Sequence, residues 1–190
     1  AALGVAVSGR ERTIDAADFN GRPFFNVAGL GLDALVAHEF ARRAGANRGL
    51  AAYVTTGARC LFSYVSARYD ITSDGVRRSG MAAAMVTVAN SRQWGNRMQI
   101  APAARLDDGV LQVVVVGETR PRAIAWNLWR LPAGSIDRMR GVVTVPARDV
   151  TIEADRDVPI HLDGEPAGFA RTAVVRIRPG ALRVKAPAPS

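Results

Sequence analysis

Ile160-His161-Leu162-Asp163-Gly164-Glu165-Pro166 is a short alternating strand that runs into a tight turn carrying two carboxylates. Asp-Gly accepts the backbone angles that hairpin tips require, so the stretch reads first as a tip between two antiparallel strands. The same turn at the mouth of a sheet can present a carboxylate as a general base toward a hydroxyl. His161 shares a strand face with Asp163, since side chains two apart point the same way. A lone histidine is more often a packed residue than a participant, and His38 carries less signal still.

Two further Asp-Gly pairs set the comparison. Asp74-Gly75 lies among Ser73, Arg77 and Arg78 and reads as a solvated turn. Asp108-Gly109 follows a second acid, Asp107, and an irregular segment from Ser91 to Arg105 that contains Gly, Asn, Gln and Pro. Asp107 and Asp108 can offer oxygen ligands to Mg²⁺ or Ca²⁺. Two adjacent acids also make an ordinary solvated turn. Only Asp163-Gly164 is followed at once by another acid, Glu165, and then by Pro166.

The flanking sequence is mainly β. Val158 to Leu162, Val150 to Ala154, Val142 to Val145 and the alternating Ala173, Val175 and Ile177 predict strands, as does Leu182 to Lys185. Upstream, Val110 to Val116 predicts a buried central strand, and Val76 to Asn90 a long strand with an apolar centre from Met81 to Ala89. Val65 to Thr72 pairs with it across Ser73-Asp74-Gly75. Near the start, Arg12 to Ala16 is a weak strand, Asn20-Gly21 a hairpin turn, and Arg22 to Ala28 a returning strand broken by Gly29-Leu30-Gly31. Helices are expected over Ala34 to Ala44, with Asp33 at its start and Gly45-Ala46-Asn47 as its stop, and over Leu50 to Tyr64. Pro121 to Leu131 predicts a short helix with Trp126 and Trp129 on one face. The sum is an α+β chain dominated by antiparallel strands, arranged as a sandwich or a strongly bent sheet, with a few helices.

Composition narrows the partners. At 190 residues the chain can bury a substantial core. Its longest apolar run, Met81 to Ala89, is too short to cross a bilayer as a helix. Cys60 is the only cysteine, which excludes a disulfide framework and points to a reducing, cytoplasmic compartment. The net charge of +8 comes from scattered arginines, Lys185 being the only lysine. With no basic stripe on any helix, phosphate or an anionic membrane surface is the expected partner and nucleic acid is not. Gly29-Leu30-Gly31-Leu32-Asp33-Ala34 has the form of a dinucleotide fingerprint, but no acid lies between Glu39 and Asp70 where one is required. Phosphate-loop, His-Glu-x-x-His and Gly-x-Ser-x-Gly motifs are absent. The chain opens on alanine and an apolar run, which suggests a piece of something longer.

Four blocks taken in order carry a resemblance. They are Phe25 to Ala34 (FNVAGLGLDA), Val88-Ala89-Asn90-Ser91, Pro102 to Leu111 (PAARLDDGVL) and Leu162 to Pro166 (LDGEP). In order and spacing they resemble the C-terminal domain of the bacterial members of the diacylglycerol kinase and sphingosine kinase family, over about Asp15 to Lys185. The resemblance implies a β-sandwich of the NAD kinase and diacylglycerol kinase-like superfamily, paired in the whole enzyme with an ATP-binding domain. It implies transfer of the ATP γ-phosphoryl group to a lipid hydroxyl, with Mg²⁺. By the same resemblance Asp163 is the expected general base and Glu165 its supporting acid. Asp108 is the expected side-chain ligand of a structural divalent metal, with the carbonyls of Arg105 and Val110 beside it.

The ATP loop of that family, Gly-Gly-Asp-Gly-Thr, has no counterpart here, and Asn96 departs from a glycine run common in relatives. The expected division is therefore a remnant of the preceding domain over 1–14, ending the helix of Ala1 to Gly9, the lipid kinase domain over 15–185, and a disordered tail over 186–190. The piece alone is expected to be inactive. The resemblance also implies peripheral membrane association and leaves room for a homodimer. A non-catalytic lipid- or partner-binding sandwich and an NAD kinase-like enzyme are the rival expectations.

Overall fold

The computed structural model describes residues 9–42, 50–95, 98–117 and 121–187, without the side chains of 50–54, 95, 121 and 128. The helix expected before Gly9, the stop at Gly45 to Asn47, Asn96 and the last three residues lie outside the described residues. Eleven strands follow one another in the chain: β1 (Arg10–Phe19), β2 (Arg22–Phe24), β3 (Val27–Gly31), β4 (Ala67–Ser73), β5 (Val76–Ala89), β6 (Gln93–Gly95), β7 (Met98–Gln99), β8 (Leu111–Gly117), β9 (Val142–Ala147), β10 (Asp149–Leu162) and β11 (Glu165–Ala186). Helices α1 (Leu32–Arg42) and α2 (Leu50–Ser63) lie between β3 and β4, and α3 (Pro121–Asn127) follows β8.

Nine strands form one antiparallel sheet in the order β2-β1-β11-β10-β3-β5-β8-β9, with β4 also bridging β10 and β5. The long strands β5 and β10 each pair with β4 near one end and with β3 near the other. The sheet therefore curves around its own apolar face, as expected of an α+β, mainly antiparallel chain. Alternation fixes which residues meet there. Leu111, Val113 and Val115 of β8 join Val86 and Val88 of β5 and Val158, Ile160 and Leu162 of β10 in one core. Val114 and Val116 of β8 face the other way, into a second core with Val36 of α1, Cys60 and Leu61 of α2, and Leu131, Ile136 and Met139. Central strands are apolar on both faces because both are covered.

The structure departs from the expected elements where backbone is held by polar side chains or by bulges. The strand expected over Arg22 to Ala28 bends at Phe25-Asn26, where three successive amides turn toward the Asp163 carboxylate. Gly29 to Gly31 do not break a strand; they form the buried end of β3. A Cβ at Gly29 would run into Asp33 and His161, and one at Gly31, at φ 103°, would meet the Ala84 carbonyl at 2.6 Å. Here glycine marks close approach rather than a turn.

The two strands expected over Val150 to Ala154 and Val158 to Leu162 are one, β10, with a register irregularity between Glu153 and Val158. Arg171 donates to the carbonyls of Ala154 and Asp155 beside that irregularity, so the chain stays extended through it. Likewise β11 runs unbroken past Pro179-Gly180, because the bulge opposite Asp15 is tied down by that carboxylate. The expected division at residue 14 falls inside β1, whose Arg10 to Ile14 pair with Leu182 to Ala186. The helix expected over Pro121 to Leu131 ends at Asn127 and tightens into a 3₁₀ turn at Leu128–Arg130.

Candidate functional site: an anchored acid turn beside a cationic pocket

The turn between β10 and β11 places Asp163 at φ 51° and Gly164 at φ 86°, the left-handed pair that Asp-Gly tolerates. Asp163 is exposed, but its carboxylate is not free as that of a bare tip would be. Its Oδ1 accepts the amides of Asn26 (2.7 Å) and Val27 (3.0 Å), and its Oδ2 accepts that of Phe25 (2.9 Å). The Asp163 amide donates in return to the Val27 carbonyl at 2.8 Å. Both carboxylate oxygens thus serve as acceptors for the bend between β2 and β3. Glu165, two residues on, is exposed, and among the described residues no side chain pairs with it.

Behind the turn lies a buried polar pair that sequence reasoning had set aside. His161 alternates away from the core formed by Ile160 and Leu162 and meets Asp33 of α1, Nε2 to Oδ2 at 3.3 Å. Both side chains are almost inaccessible, at 3% and 2% exposure. The Gly164 amide donates to His161 Nδ1 at 3.2 Å, so Nδ1 is the acceptor nitrogen and Nε2 carries the proton toward Asp33. The Thr87 hydroxyl donates to the same Asp33 oxygen at 3.0 Å, and the Ala34 amide to the other at 2.8 Å. Asp33 stands in the first turn of α1, as expected. It faces inward and, through His161, holds the backbone of the turn. The chain signal was Gly29: only a residue without a side chain fits against that pair.

The other sequence blocks converge on the same region through a second carboxylate, Asp15, read at first only as part of a weak strand. Asp15 is buried, and its oxygens accept the amides of Gly109 (2.7 Å) and Gly180 (2.8 Å). The Asn90 amide group donates to the Asp15 carbonyl at 3.0 Å and to the Phe25 carbonyl at 2.8 Å. Ser91 hydrogen-bonds Asn26 through its side chain, and Asn90 and Ser91 both donate backbone amides to the Asn26 carbonyl. Asn26, Asn90, Asp108-Gly109 and Asp163 therefore belong to one framework, although only Asp163 and Glu165 are on the acid turn.

A pocket of about 700 Å³ opens beside this framework. Phe25 and Asn26, whose amides hold Asp163, line one side, with Ser91, Arg92, Arg105 and Arg12 around it. Arg12 binds Asp107 at 2.6 Å and Arg105 approaches it at 3.5 Å. The Arg12 hydrogen bond is the main reason the Asp107 carboxyl is held below the usual carboxylate range. Asp107 is thus engaged by arginines and Asp108 accepts the Val110 amide at 3.1 Å. An Asp108 carboxylate with the carbonyls of Arg105 and Val110 is an all-oxygen donor set, the kind that suits a hard divalent cation. Among the described residues no group of three or more His, Cys, Asp or Glu side chains gathers as a metal cluster. No described helix is long and apolar enough to cross a membrane.

Comparison with known proteins places this arrangement. Residues 26–186 match the family model described as "YegS C-terminal NAD kinase beta sandwich-like domain". Relatives named "Probable lipid kinase YegS-like" from Pseudomonas fluorescens and Pseudomonas aeruginosa are 32% and 30% identical over 93% and 94% of this chain. The chain spans 58% of the length of each. A crystal structure of a "putative diacylglycerol kinase" from Bacillus anthracis str. Sterne superposes with a TM-score of 0.74 at 22% identity, over 96% of this chain and 58% of that one. An NAD kinase from Archaeoglobus fulgidus, solved with ATP, shares the fold at a TM-score of 0.51 and 10% identity, over 97% of this chain and 59% of that one. The matched region takes in the bend at Asn26, the Asn90 and Asp108 segments and the acid turn, and the chain belongs to the YegS C-terminal NAD kinase beta sandwich-like domain family.

Proposed function

We propose that this chain is the acceptor-side domain of a lipid kinase, and that Glu165 takes the proton from the lipid hydroxyl as the ATP γ-phosphoryl group is transferred to it. The observation that carries the proposal is the contrast between the two acids of the turn. Asp163, itself exposed, accepts three amides, those of Phe25, Asn26 and Val27, which leaves one lone pair of Oδ2 open, while Glu165 is exposed and unpaired among the described residues. A general base needs a free lone pair within reach of its proton. On this reading Glu165, the less engaged of the two, works as the base, and Asp163, expected from the sequence in that role, builds the turn.

Phosphoryl transfer rests on positioning and charge neutralisation, which Mg²⁺ and cationic side chains supply when the nucleotide is bound. Arg12, Arg92 and Arg105 give the adjacent pocket its positive lining, suited to a phosphate-bearing ligand. Neither acid of the turn lines that pocket; Phe25 and Asn26 connect the two. A divalent ion at the Asp108 loop would be held by Asp108 and the carbonyls of Arg105 and Val110, and would cross-link the loop rather than act on phosphate. The names of the lipid kinase relatives and the shared fold support the choice of a lipid acceptor.

The test is made on the full-length protein with ATP, Mg²⁺ and a panel of diacylglycerol, a sphingoid base, phosphatidylglycerol and a polyprenol. Phosphorylated lipid is the expected product, and the 190-residue chain alone should yield none. A full-length protein that binds lipid but transfers phosphate to no member of the panel would favour a non-catalytic binding module.

A further inference from the structure

The connection between β8 and β9 carries an exposed aromatic and basic surface that the catalytic proposal does not use. Residues 121–141 are well attached to the protein: Leu131, Ile136 and Met139 are buried in the second core, and Ile124 packs against it. The same segment turns two indoles outward, Trp126 at 81% exposure and Trp129 at 57%. The segment buries Leu131, Ile136 and Met139 while leaving these two indoles outside. Trp126 lies in α3 and Trp129, three residues on, in the 3₁₀ turn that follows.

The charge of the segment is mostly positive. Arg122 stands a helical turn before Trp126, and the Arg130 guanidinium lies 4.8 Å from the centre of the Trp129 ring. Arg138 and Arg140 are exposed on the turn that leads to β9, and Asp137 is the only acid in the segment. Exposed tryptophan flanked by arginine is the chemistry of the interface between water and lipid: the indole sits at headgroup depth and the guanidinium pairs with anionic phosphate. Each basic residue near an anionic leaflet adds to the attraction.

We propose that Trp126 and Trp129, with Arg122, Arg130, Arg138 and Arg140, form a docking surface for a bilayer containing anionic lipids. The surface is mechanically joined to the site. The Gln99 amide donates to the Leu131 carbonyl at 2.9 Å, which ties the segment to β7. The chain between β5 and β8 that contains β7 also supplies Ser91, Arg92 and Arg105 to the pocket wall. Docking through the indoles therefore sets the pocket at a fixed height beside the membrane. The choice of a bilayer rests on the lipid-kinase reading, but binding is measured without turnover, so the two can fail separately.

The experiment is vesicle flotation of the full-length protein with phosphatidylcholine alone or mixed with phosphatidylglycerol. Wild type should bind the mixed vesicles and not the neutral ones. Trp126→Ala/Trp129→Ala should lower that binding about tenfold or more, and Arg122→Gln/Arg130→Gln should lower it in a salt-dependent way. Both variants should keep wild-type activity on detergent-dispersed acceptor, since neither residue set touches the acid turn. Trp126, Trp129 and Arg122 are exposed and Arg130 is half-buried, so single substitutions are available should a double variant fold poorly. Unchanged flotation of the tryptophan variant, or equal binding to neutral vesicles, would overturn the proposal. So would a tryptophan variant whose only change is a shift from dimer to monomer in gel filtration, which would make this a protein interface.

Discussion

Asp74-Gly75 and Asp163-Gly164 are the same turn in two places, and they differ in how the carboxylate is used. Both aspartates are left-handed, at φ 47° and 51°, and both glycines follow at φ 83° and 86°. Each carboxylate reaches across to amides of a neighbouring segment. Asp74 does so with one oxygen, Oδ1, which accepts from Arg148 (2.9 Å) and Asp149 (2.8 Å). Asp163 uses both oxygens on three amides. Asp74 is followed by Val76 at the start of a strand, and Asp163 by Glu165 with the buried Asp33–His161 pair behind it. An Asp-Gly tip is thus a structural clip in both places, and chemistry is added by what surrounds it.

The largest break in the comparison should come from behind the Asp163 turn, where Asp74 has no equivalent. Gly29→Ala pushes a methyl into Asp33 and His161. Overpacking and disruption of a buried polar pair together should cost about 4 kcal/mol, seen as a large drop in the urea midpoint or as insoluble protein. Wild-type stability in Gly29→Ala would mean that the pair is not held as described.

Next is Asp163→Asn. An amide keeps one acceptor oxygen and turns an NH₂ toward an amide donor of the bend, so a loss of about 2 kcal/mol is expected. Asp74→Asn should be much milder, about 0.5 kcal/mol, because asparagine keeps the one oxygen that is used there. Equal losses in the two variants would dissolve the distinction between one-oxygen and two-oxygen clips.

The smallest effect concerns acid. The amides of Asp149 and then Arg148 hold Asp74 below its ordinary carboxyl value of 3.8. A depressed folded-state value means the contribution is complete above pH 3.8 and is lost as pH falls through the lower folded value. Asp74→Asn should therefore flatten the decline of unfolding free energy below about pH 4 and leave the neutral plateau nearly unchanged. An identical acid limb in the variant would remove Asp74 from that account.

The β content, the turns at Asn20-Gly21, Asp74-Gly75 and Asp163-Gly164, and the long β5 were legible because alternation and turn chemistry are local. The continuity of β10 and β11 was not. Their interruptions at Ala154 to Asp157 and Pro179-Gly180 look like ends in sequence and are bridged by Arg171 and Asp15 from elsewhere in the chain. The two acids of the candidate site were visible as a motif, but the amides that Asp163 accepts were not. They belong to Phe25 to Val27, more than 130 residues away. The same holds for His161, which looked like a stray histidine until α1 brought Asp33 against it.

The most direct test sets Glu165→Gln against Asp163→Asn in the full-length protein, measuring unfolding free energy and kcat for lipid phosphorylation on the same preparations. Glu165→Gln is expected to keep stability within about 0.5 kcal/mol and lose roughly a thousandfold in kcat, the range of a general base. Asp163→Asn is expected to lose stability first. A Glu165→Gln enzyme with near-normal kcat, beside a fully stable but inactive Asp163→Asn enzyme, would contradict the account and return the base to Asp163.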